Sequence, residues 1–280
     1  MSTIHTFLFE ATETLANAQI SSPRIDAEWL LADVLQCTRS DLHLNPHQTL
    51  SAKQHKHFCD LIDRRAQRIP LQHLVGKTEF YGLPFFASPN ALIPRPETET
   101  LIETVLKRAP NHAQILDIGT GSGIIAITLA HELPNARVIA TDISCKSLRL
   151  ARQNAHLNHV AHKISFLQAD LLSAIATPFN IIVSNPPYIA TKDIDTLEPE
   201  VCTHDPIQAL DGGTDGLDFY RKIIPASTSL LWPDGLLALE IGHNQIAAVL
   251  HLLDRQPTLG AIGSQADLSG HPRVVFAHRL

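Results

Sequence analysis

The chain has 280 residues, of which 44% are hydrophobic, a length that allows one large or two ordinary domains with a substantial core. Its formal net charge of −6 lacks the electrostatic footprint of a protein that holds nucleic acid by its phosphates. No apolar run approaches the roughly 20 residues that cross a bilayer, and the first residues show no basic start or apolar signal core, so we expect a cytoplasmic location.

The four cysteines and sixteen histidines do not indicate a metal site. The cysteines are scattered without a CxxC pair: Cys37, Cys59, Cys145 and Cys202. His55 and His57 lie two apart in a predicted helix, so their side chains point to different faces. We therefore expect free thiols and no bound metal.

Residues 1–75 are predicted to form a small helical domain. Apolar residues recur there at three- and four-residue spacing, first at Phe7, Leu8, Ala11 and Leu15. Ser22, which precedes Pro23, and Ser51 are the predicted N-caps of two of the helices. Eight acidic and seven basic residues nearly cancel in this domain, a balance that fits a protein contact better than a phosphate contact.

Residues 76–96 are predicted to form a β-hairpin linker. Glycines and prolines punctuate the short apolar runs 78–81 and 83–87. Pro96 is the predicted first residue of the next helix, and Glu97 and Glu99 suit the positive end of its dipole. Arg95 is a candidate for an ion pair with an acidic neighbour or for contact with a ligand.

Residues 97–280 alternate predicted strands with helices, which predicts an α/β fold with a doubly wound, mainly parallel sheet. The predicted strands are 115–118, 138–141, 164–168, 180–184, 235–241 and 273–278. The loop over residues 189–216 is long enough to indicate a functional cover.

A glycine-rich turn, residues 117–123, follows the first strand of this sheet and opens a helix near Ile124. Glycines let the backbone approach a ligand closely, and a helix N-terminus offers free N–H groups. The candidate cofactor-binding residues here are Asp117, Ile118, Gly119, Thr120 and Gly121. The structural alternative is a tight turn between strand and helix.

Asp142, at the end of the next strand, is a candidate acceptor for the two ribose hydroxyls of an adenosine. Alternatively, Asp142 or Ser144 only caps the following helix. The glycines are spaced as GxGxG and not as the GxGxxG of dinucleotide sites, so the turn resembles motif I of class I methyltransferases, in which Asp117 could bind a methionine ammonium group. Asp170 and Leu171, just past the third strand, are placed to hold adenine.

The segment Asn185-Pro186-Pro187-Tyr188 ends the fourth strand of the sheet. The Asn185 side-chain oxygen and the Pro186 carbonyl can each accept one hydrogen of an –NH2 group, while Tyr188 covers the planar group that they hold. We therefore predict that Asn185, Pro186 and Tyr188 are catalytic, that all four residues bind the substrate, and that Asn185 also contacts the cofactor. The alternative is a buried strand that ends in a Pro-Pro turn.

Taken together, these motifs resemble the HemK/PrmC release factor glutamine methyltransferases over nearly the whole chain. The resemblance also rests on residues 94–99, on 198–201 with Asp205, and on 209–216. It implies an S-adenosylmethionine-dependent class I methyltransferase fold, a product S-adenosylhomocysteine, and transfer of methyl to the glutamine amide nitrogen (N5) in the Gly-Gly-Gln motif of class I peptide release factors. We expect a monomer in which residues 97–280 catalyse the transfer and residues 1–75 recognise the substrate, because two glycines beside the target offer little surface for discrimination. The alternative is that residues 1–75 only shield one face of the catalytic domain.

Three alternatives stay open at this point. The NPPY motif is shared with adenine-N6 methyltransferases, so a nucleic acid is a possible substrate, although no basic recognition region is visible. A ribosomal-protein glutamine methyltransferase would use the same site on another partner. A non-catalytic binding protein could keep the fold without activity. Leu171 departs from the family pattern, because some relatives carry an aromatic residue there.

Overall fold

The computed structural model describes residues 3–280, which divide into two compact units. The first unit extends to Lys77 and takes in a distant segment, Glu198–His204. The second unit comprises Thr78–Leu197 and Asp205–Leu280.

The first unit is helical, as its apolar spacing predicts. Its helices are α1 (Ile4–Asn17), α2 (Pro23–Leu35), α3 (Arg39–Leu44), α4 (Ala52–Ala66) and α5 (Leu71–Val75), with a short helix at Pro199–His204. The apolar faces of these helices meet in one buried cluster that includes Leu15, Leu30 and Phe58. Burial of such faces is the main source of stability for short helices.

The two predicted N-caps of this unit differ. Ser51 caps α4: its hydroxyl accepts from the Gln54 N–H at 3.3 Å, and the Gln54 side chain accepts from the Ser51 N–H at 3.0 Å. Ser22 occupies the predicted N-cap position of α2, and Pro23 is the first helical residue as predicted, but the Ser22 side chain makes no capping hydrogen bond. The Ser22 backbone, with φ −128° and ψ 58°, departs from the extended conformation that aims a capping side chain.

The predicted hairpin is confirmed as β1 (Lys77–Phe80) and β2 (Leu83–Phe86). Its two turn residues, Tyr81 and Gly82, have φ of 53° and 70°, as a tight hairpin turn requires.

The helix after the hairpin, α6 (Thr98–Leu106), starts two residues later than predicted. Pro96 is therefore not its first residue. The N–H groups of Thr98 and Glu99 donate three residues back, to the carbonyls of Arg95 and Pro96, at 3.1 and 3.0 Å. A tight turn of this kind precedes the α-helix, because the chain narrows before it adopts the wider α spacing.

The second unit contains a seven-stranded sheet, which confirms the predicted α/β architecture. Its strands are β3 (Gln114–Ile118), β4 (Arg137–Asp142), β5 (Ile164–Gln168), β6 (Phe179–Ser184), β7 (Leu231–Glu240), β8 (Leu259–Ala266) and β9 (Pro272–Arg279). The order is β5-β4-β3-β6-β7-β9-β8, with only the pairs of β9 antiparallel. Besides α6, the helices are α7 (Ile124–Glu132), α8 (Cys145–Leu157), α9 (Asp218–Ser227) and α10 (Ile246–Asp254).

The sequence did not predict β8, and it placed the start of β7 four residues late, at Gly235 instead of Leu231. In β8, Gly260 and Gly263 break the apolar pattern on which a strand prediction depends. Tertiary packing accounts for both glycines, since a Cβ would lie 2.5 Å from Leu280 at Gly260 and 2.5 Å from Phe276 at Gly263.

Two properties of the chain follow from the described residues. None of the helices in residues 3–280 is long and apolar enough to cross a membrane. Within the same residues, no three His, Cys, Asp or Glu side chains converge in a way that could hold a metal ion.

Candidate active site

The site is built at the carboxyl edge of the sheet, where the strand order reverses between β3 and β6. The parallel register places Ile118 opposite Thr141 on one side and opposite Ser184 on the other. Gly119 and Asn185, which follow these strands, therefore start from neighbouring positions on one edge. Ligands of doubly wound sheets bind at such a switch point.

The glycine turn has the left-handed backbone that favours glycine. Gly119, Gly121 and Gly123 have φ of 71°, 56° and 88°. A Cβ on Gly123 would lie 2.9 Å from Ile127 and 3.0 Å from Ala151, so close packing also requires glycine there. Gly119 is exposed and a Cβ on it would meet nothing within 4 Å, which leaves the turn open to a ligand.

Asp117 is fully buried beneath this turn. Its Oδ2 accepts from the Thr120 hydroxyl at 2.6 Å and from the Ala126 N–H at 3.2 Å, while Oδ1 has no hydrogen-bond partner among the described residues. Burial raises the pKa of this carboxyl to about 7, against the lowering effect of the two hydrogen bonds. In this structure Asp117 supports the glycine turn, and its contact with a methionine ammonium stays a prediction.

Asp142 connects the end of β4 to the glycine turn. Its two oxygens accept from the Gly121 N–H at 2.9 Å and from the Ser144 N–H at 2.8 Å. A carboxylate has about four acceptor sites, so capacity for ribose hydroxyls remains on this half-buried group. The predicted helix cap is Ser144, whose hydroxyl accepts from the Ser147 N–H at 3.2 Å.

The predicted adenine contacts, Asp170 and Leu171, both follow β5. Asp170 is exposed, whereas Leu171 is half-buried, has a φ of 50° and packs partly against the core. The structure adds Ile143, a large apolar side chain that is 58% exposed directly after Asp142. Sequence reasoning missed Ile143, although its position after the acidic strand end was a usable signal.

The NPPY segment presents both of its predicted acceptors. Asn185 is half-buried and Pro186 is buried. The Asn185 Nδ2 donates to the Thr98 hydroxyl at 3.3 Å. Within residues 3–280, no hydrogen bond uses the Asn185 Oδ1 or the Pro186 carbonyl. Both oxygens are therefore available to the hydrogens of a substrate –NH2 group.

Two glycines of the predicted covering loop pack against the backbone of this segment. A Cβ on Gly212 would lie 2.8 Å from the Pro187 carbonyl oxygen, and one on Gly216 would collide with the Tyr188 carbonyl. Gln245 fixes the arrangement, because its Nε2 donates to the Tyr188 carbonyl at 2.8 Å and to the Gly216 carbonyl at 3.2 Å. The sequence did not single out Gln245, which lies 57 residues from Tyr188.

The charged groups near the segment have shifted pKa values or defined partners. Burial raises the pKa of Tyr188 to about 12, so its phenol is neutral at physiological pH. Burial likewise raises the pKa of Glu240, at the end of β7, to about 7. Arg95 forms an ion pair with Asp205 at 3.0 Å, a partner 110 positions along the chain and not one of its acidic sequence neighbours.

Comparison with known proteins assigns the chain to a family. Residues 7–76 match the model of the PrmC N-terminal domain, and residues 96–204 match the methyltransferase small domain. The release factor glutamine methyltransferase of Geobacter sulfurreducens is 42% identical over 93% of this chain and 91% of its own length, and that of Moorella thermoacetica is 41% identical over 99% of each. The chain belongs to the release factor glutamine methyltransferase family. The family resemblance that the motifs carry is thereby confirmed.

Solved structures agree with the fold of this family member. A methyltransferase from Pyrococcus furiosus superposes with a TM-score of 0.55 at 17% identity, over 71% of this chain and 90% of its own. At that identity the likeness concerns the fold alone. The methyltransferase small domain, residues 96–204, contains the glycine turn, Asp142 and the NPPY segment of this release factor glutamine methyltransferase family member.

Proposed function

We propose that this protein transfers a methyl group from S-adenosylmethionine to the side-chain amide nitrogen (N5) of the glutamine in the Gly-Gly-Gln motif of class I release factors. The observation that carries the proposal is the pair of unused acceptors, the Asn185 Oδ1 and the Pro186 carbonyl, at the switch point of the sheet. Family membership supports the same substrate, since the relatives are named for it.

The residues at the sheet edge fit the methyl donor. The open turn at Gly119 admits a close ligand, and the free acceptor capacity of Asp142 suits ribose hydroxyls. The unpartnered Oδ1 of Asp117 suits a cationic ammonium group, and the exposed Ile143 offers apolar surface to a planar ring. S-adenosylmethionine supplies an electrophilic methyl group on a sulfonium centre and becomes S-adenosylhomocysteine.

The protein's part in the reaction is to orient and polarise the acceptor. An amide nitrogen is a poor nucleophile, because its lone pair is delocalised into the carbonyl. By accepting both N–H hydrogens, Asn185 and Pro186 raise the electron density on that nitrogen and fix its direction. The neutral amide of Asn185 and the neutral phenol of Tyr188 supply no strong base. The proton leaves after transfer, when the methylated nitrogen has become acidic.

Mass spectrometry of purified release factor, after incubation with the enzyme and S-adenosylmethionine, tests the proposal. We expect a gain of one methyl group on the Gly-Gly-Gln glutamine. Transfer to a ribosomal-protein glutamine, or to adenine in an oligonucleotide, with none to release factor would replace the proposal by one of its alternatives.

We further propose that residues 1–75 recognise the body of the release factor, with residues 76–96 as a linker and residues 97–280 as the catalytic domain. Two glycines beside the target provide almost no surface for discrimination, so selectivity has to come from elsewhere. The helical unit exposes large apolar side chains, among them Ile25 and Trp29, each 46% exposed and one helical turn apart on α2. Such side chains are typical anchors of protein contacts.

Assays on two substrates, full-length release factor and a short Gly-Gly-Gln peptide, distinguish a recognition role of this unit from a purely structural one. The double variant Ile25→Ala, Trp29→Ala alters only side chains that are half exposed. We expect it to lower kcat/KM for full-length release factor about tenfold or more and to leave methylation of a short Gly-Gly-Gln peptide unchanged. Equal loss on both substrates, or no loss on either, would contradict recognition through α2.

A further inference from the structure

Thr98 and Glu240 lie behind the Asn185 side chain, on the side away from the free Oδ1. The parallel pairing of β6 with β7 places Ser184 opposite Leu239, so the next residues, Asn185 and Glu240, are neighbours across the sheet. Thr98 is the first residue of α6, and its hydroxyl accepts from the Asn185 Nδ2 at 3.3 Å. The Thr98 and Asn185 side chains also lie close enough to the Glu240 carboxyl to lower its pKa, against the larger raising effect of burial.

Both partners are sealed from solvent, since Thr98 and Glu240 are each 1% exposed. A buried carboxyl group is costly to keep, and Glu240 Oε2 has no hydrogen-bond partner among the residues that the structure describes. An apolar side chain would satisfy packing at this position without that cost. Buried groups of this kind recur where function requires them.

We propose that Thr98 and Glu240 are positioning residues that hold the Asn185 carboxamide with its nitrogen inward and its oxygen toward the substrate amide. This inference rests on the role proposed above for Asn185. A carboxamide can rotate by half a turn and exchange its oxygen and nitrogen at little steric cost. Acceptors behind Asn185 prevent that exchange. A reversed Asn185 would present donors to a substrate –NH2 group, which is itself a donor.

The ionised form of Glu240 is the one that fixes this orientation. As a carboxylate it only accepts, so the Thr98 hydroxyl donates to it and keeps its lone pairs for Asn185. A protonated Glu240 can instead donate a hydrogen bond to the Thr98 hydroxyl, which weakens the preference for the orientation with the Asn185 nitrogen inward. The charged and titratable groups that face Glu240 are Arg273 from β9, Glu97 before α6, Tyr188 after β6 and Tyr220 from α9. Neutralisation of Glu240 therefore lowers turnover as pH falls.

Thr98 offers a matched pair of variants. Thr98→Val keeps the shape and removes the hydroxyl, whereas Thr98→Ser keeps the hydroxyl. We expect Thr98→Val to lower kcat about tenfold with little change in KM or in the Kd for S-adenosylmethionine, and Thr98→Ser to restore kcat to within about twofold. Thr104→Val is the control, because Thr104 is also 1% exposed on α6 but its hydroxyl donates to the Thr100 carbonyl at 2.7 Å.

Glu240→Gln tests the charge with nearly the same shape. We expect a kcat about tenfold lower, together with loss of the acid limb that the wild-type kcat shows near neutral pH. If these residues were only structural, the variants would lower the Tm while kcat and its pH profile, measured well below the Tm, stayed at wild-type values. That outcome would overturn the inference.

Parallel assays of wild type and Asn185→Ala keep the two proposals apart. One outcome would reject only the positioning role. In that outcome the wild type methylates release factor and Asn185→Ala does not, while Thr98→Val and Glu240→Gln remain fully active. Failure of the wild type to methylate release factor would reject the proposed function itself.

Discussion

Asn185 is the uncharged side chain that we propose orients the substrate amide for methyl transfer. Its nitrogen is held at 3.3 Å from Thr98, and its oxygen is free for the substrate. Asn185→Ala removes the oriented acceptor while the prolines maintain the backbone turn. We expect turnover to fall on the order of 100-fold or more, with the fold retained. Single-turnover kinetics beside circular dichroism measures both.

Asn185→Asp extends the same test. The variant keeps an acceptor but places a second carboxyl group beside Glu240, where like charges repel. We expect turnover to stay near that of Asn185→Ala. Near-normal methylation by either variant would contradict the role of Asn185.

Asp142 is expected to act on the methyl donor in two ways. It offers acceptors to the ribose hydroxyls, and it holds the glycine turn through the Gly121 N–H at 2.9 Å. Asp142→Ala should weaken S-adenosylmethionine binding by roughly 1.5 to 3 kcal/mol. Calorimetry measures the change, and Asp254→Ala, at an exposed carboxylate on α10, is the control. Unchanged affinity in a folded Asp142→Ala variant would exclude Asp142 from the site.

Asp117 makes stability depend on pH. Burial raises its pKa from 3.8 to about 7, so between these values the folded state holds a proton that the unfolded state has released. The contribution of Asp117 to the unfolding free energy therefore falls as pH rises through this window. Urea unfolding of both proteins measures this effect. From about pH 5 to about pH 8, the unfolding free energy of the wild type should fall by roughly 1 to 3 kcal/mol relative to that of Asp117→Asn. A constant difference across that range would show that Asp117 does not titrate there.

At the scale of the element, the start of α4 depends on a reciprocal cap. The Ser51 hydroxyl and the Gln54 side chain each satisfy an N–H of the first turn. Ser51→Ala should lower the unfolding free energy by about 1 kcal/mol. Ser22→Ala is the control, because Ser22 stands at the same position of α2 without a capping hydrogen bond. Denaturant unfolding should show a smaller loss for Ser22→Ala, and equal losses would remove the distinction.

At the scale of the molecule, a buried ion network connects parts of the first unit that are far apart in sequence. Arg65, on α4, donates to Asp26 at 2.7 Å and to Glu200 at 2.9 Å, across 39 and 135 positions of the chain. The side chains of Arg65, Asp26 and Glu200 are 7%, 10% and 18% exposed. The network fixes Glu198–His204, which the chain supplies from the loop after the NPPY segment, to the helices of the unit.

Removal of Arg65 leaves the buried carboxylate of Asp26 without its cationic partner, whereas Glu200 keeps its ion pair with Arg68 at 2.6 Å. We expect Arg65→Met to lower the unfolding free energy by about 3 kcal/mol or more, measured by denaturant unfolding. Arg221→Met is the control, since the ion pair of Arg221 with Asp215 is 45% and 49% exposed and should contribute less than about 1 kcal/mol. Similar losses in both variants would show that burial does not decide the strength of these pairs.

Much of the fold and part of the site could be predicted from local sequence. Short apolar runs predicted six of the seven strands of the sheet, and GxGxG and NPPY marked the ends of two of them, because strand pattern and turn chemistry are encoded by residues adjacent in the chain. The prediction failed at β8, whose glycines pack against side chains that are distant in the sequence. It also failed at Pro96, because a tight turn precedes α6 and the helix begins two residues later.

The tertiary structure alone decided which side chains surround the motifs. Thr98, Glu240 and Gln245 carry no local signal that relates them to Asn185 or Tyr188, from which they are separated by 52 to 90 positions of the chain. The pairing of β6 with β7 and the packing of α6 bring them together. Hydrogen bonds act over about 3 Å of space regardless of distance along the chain, so local sequence identified Asn185 and Tyr188, whereas only the folded sheet placed these three side chains around them.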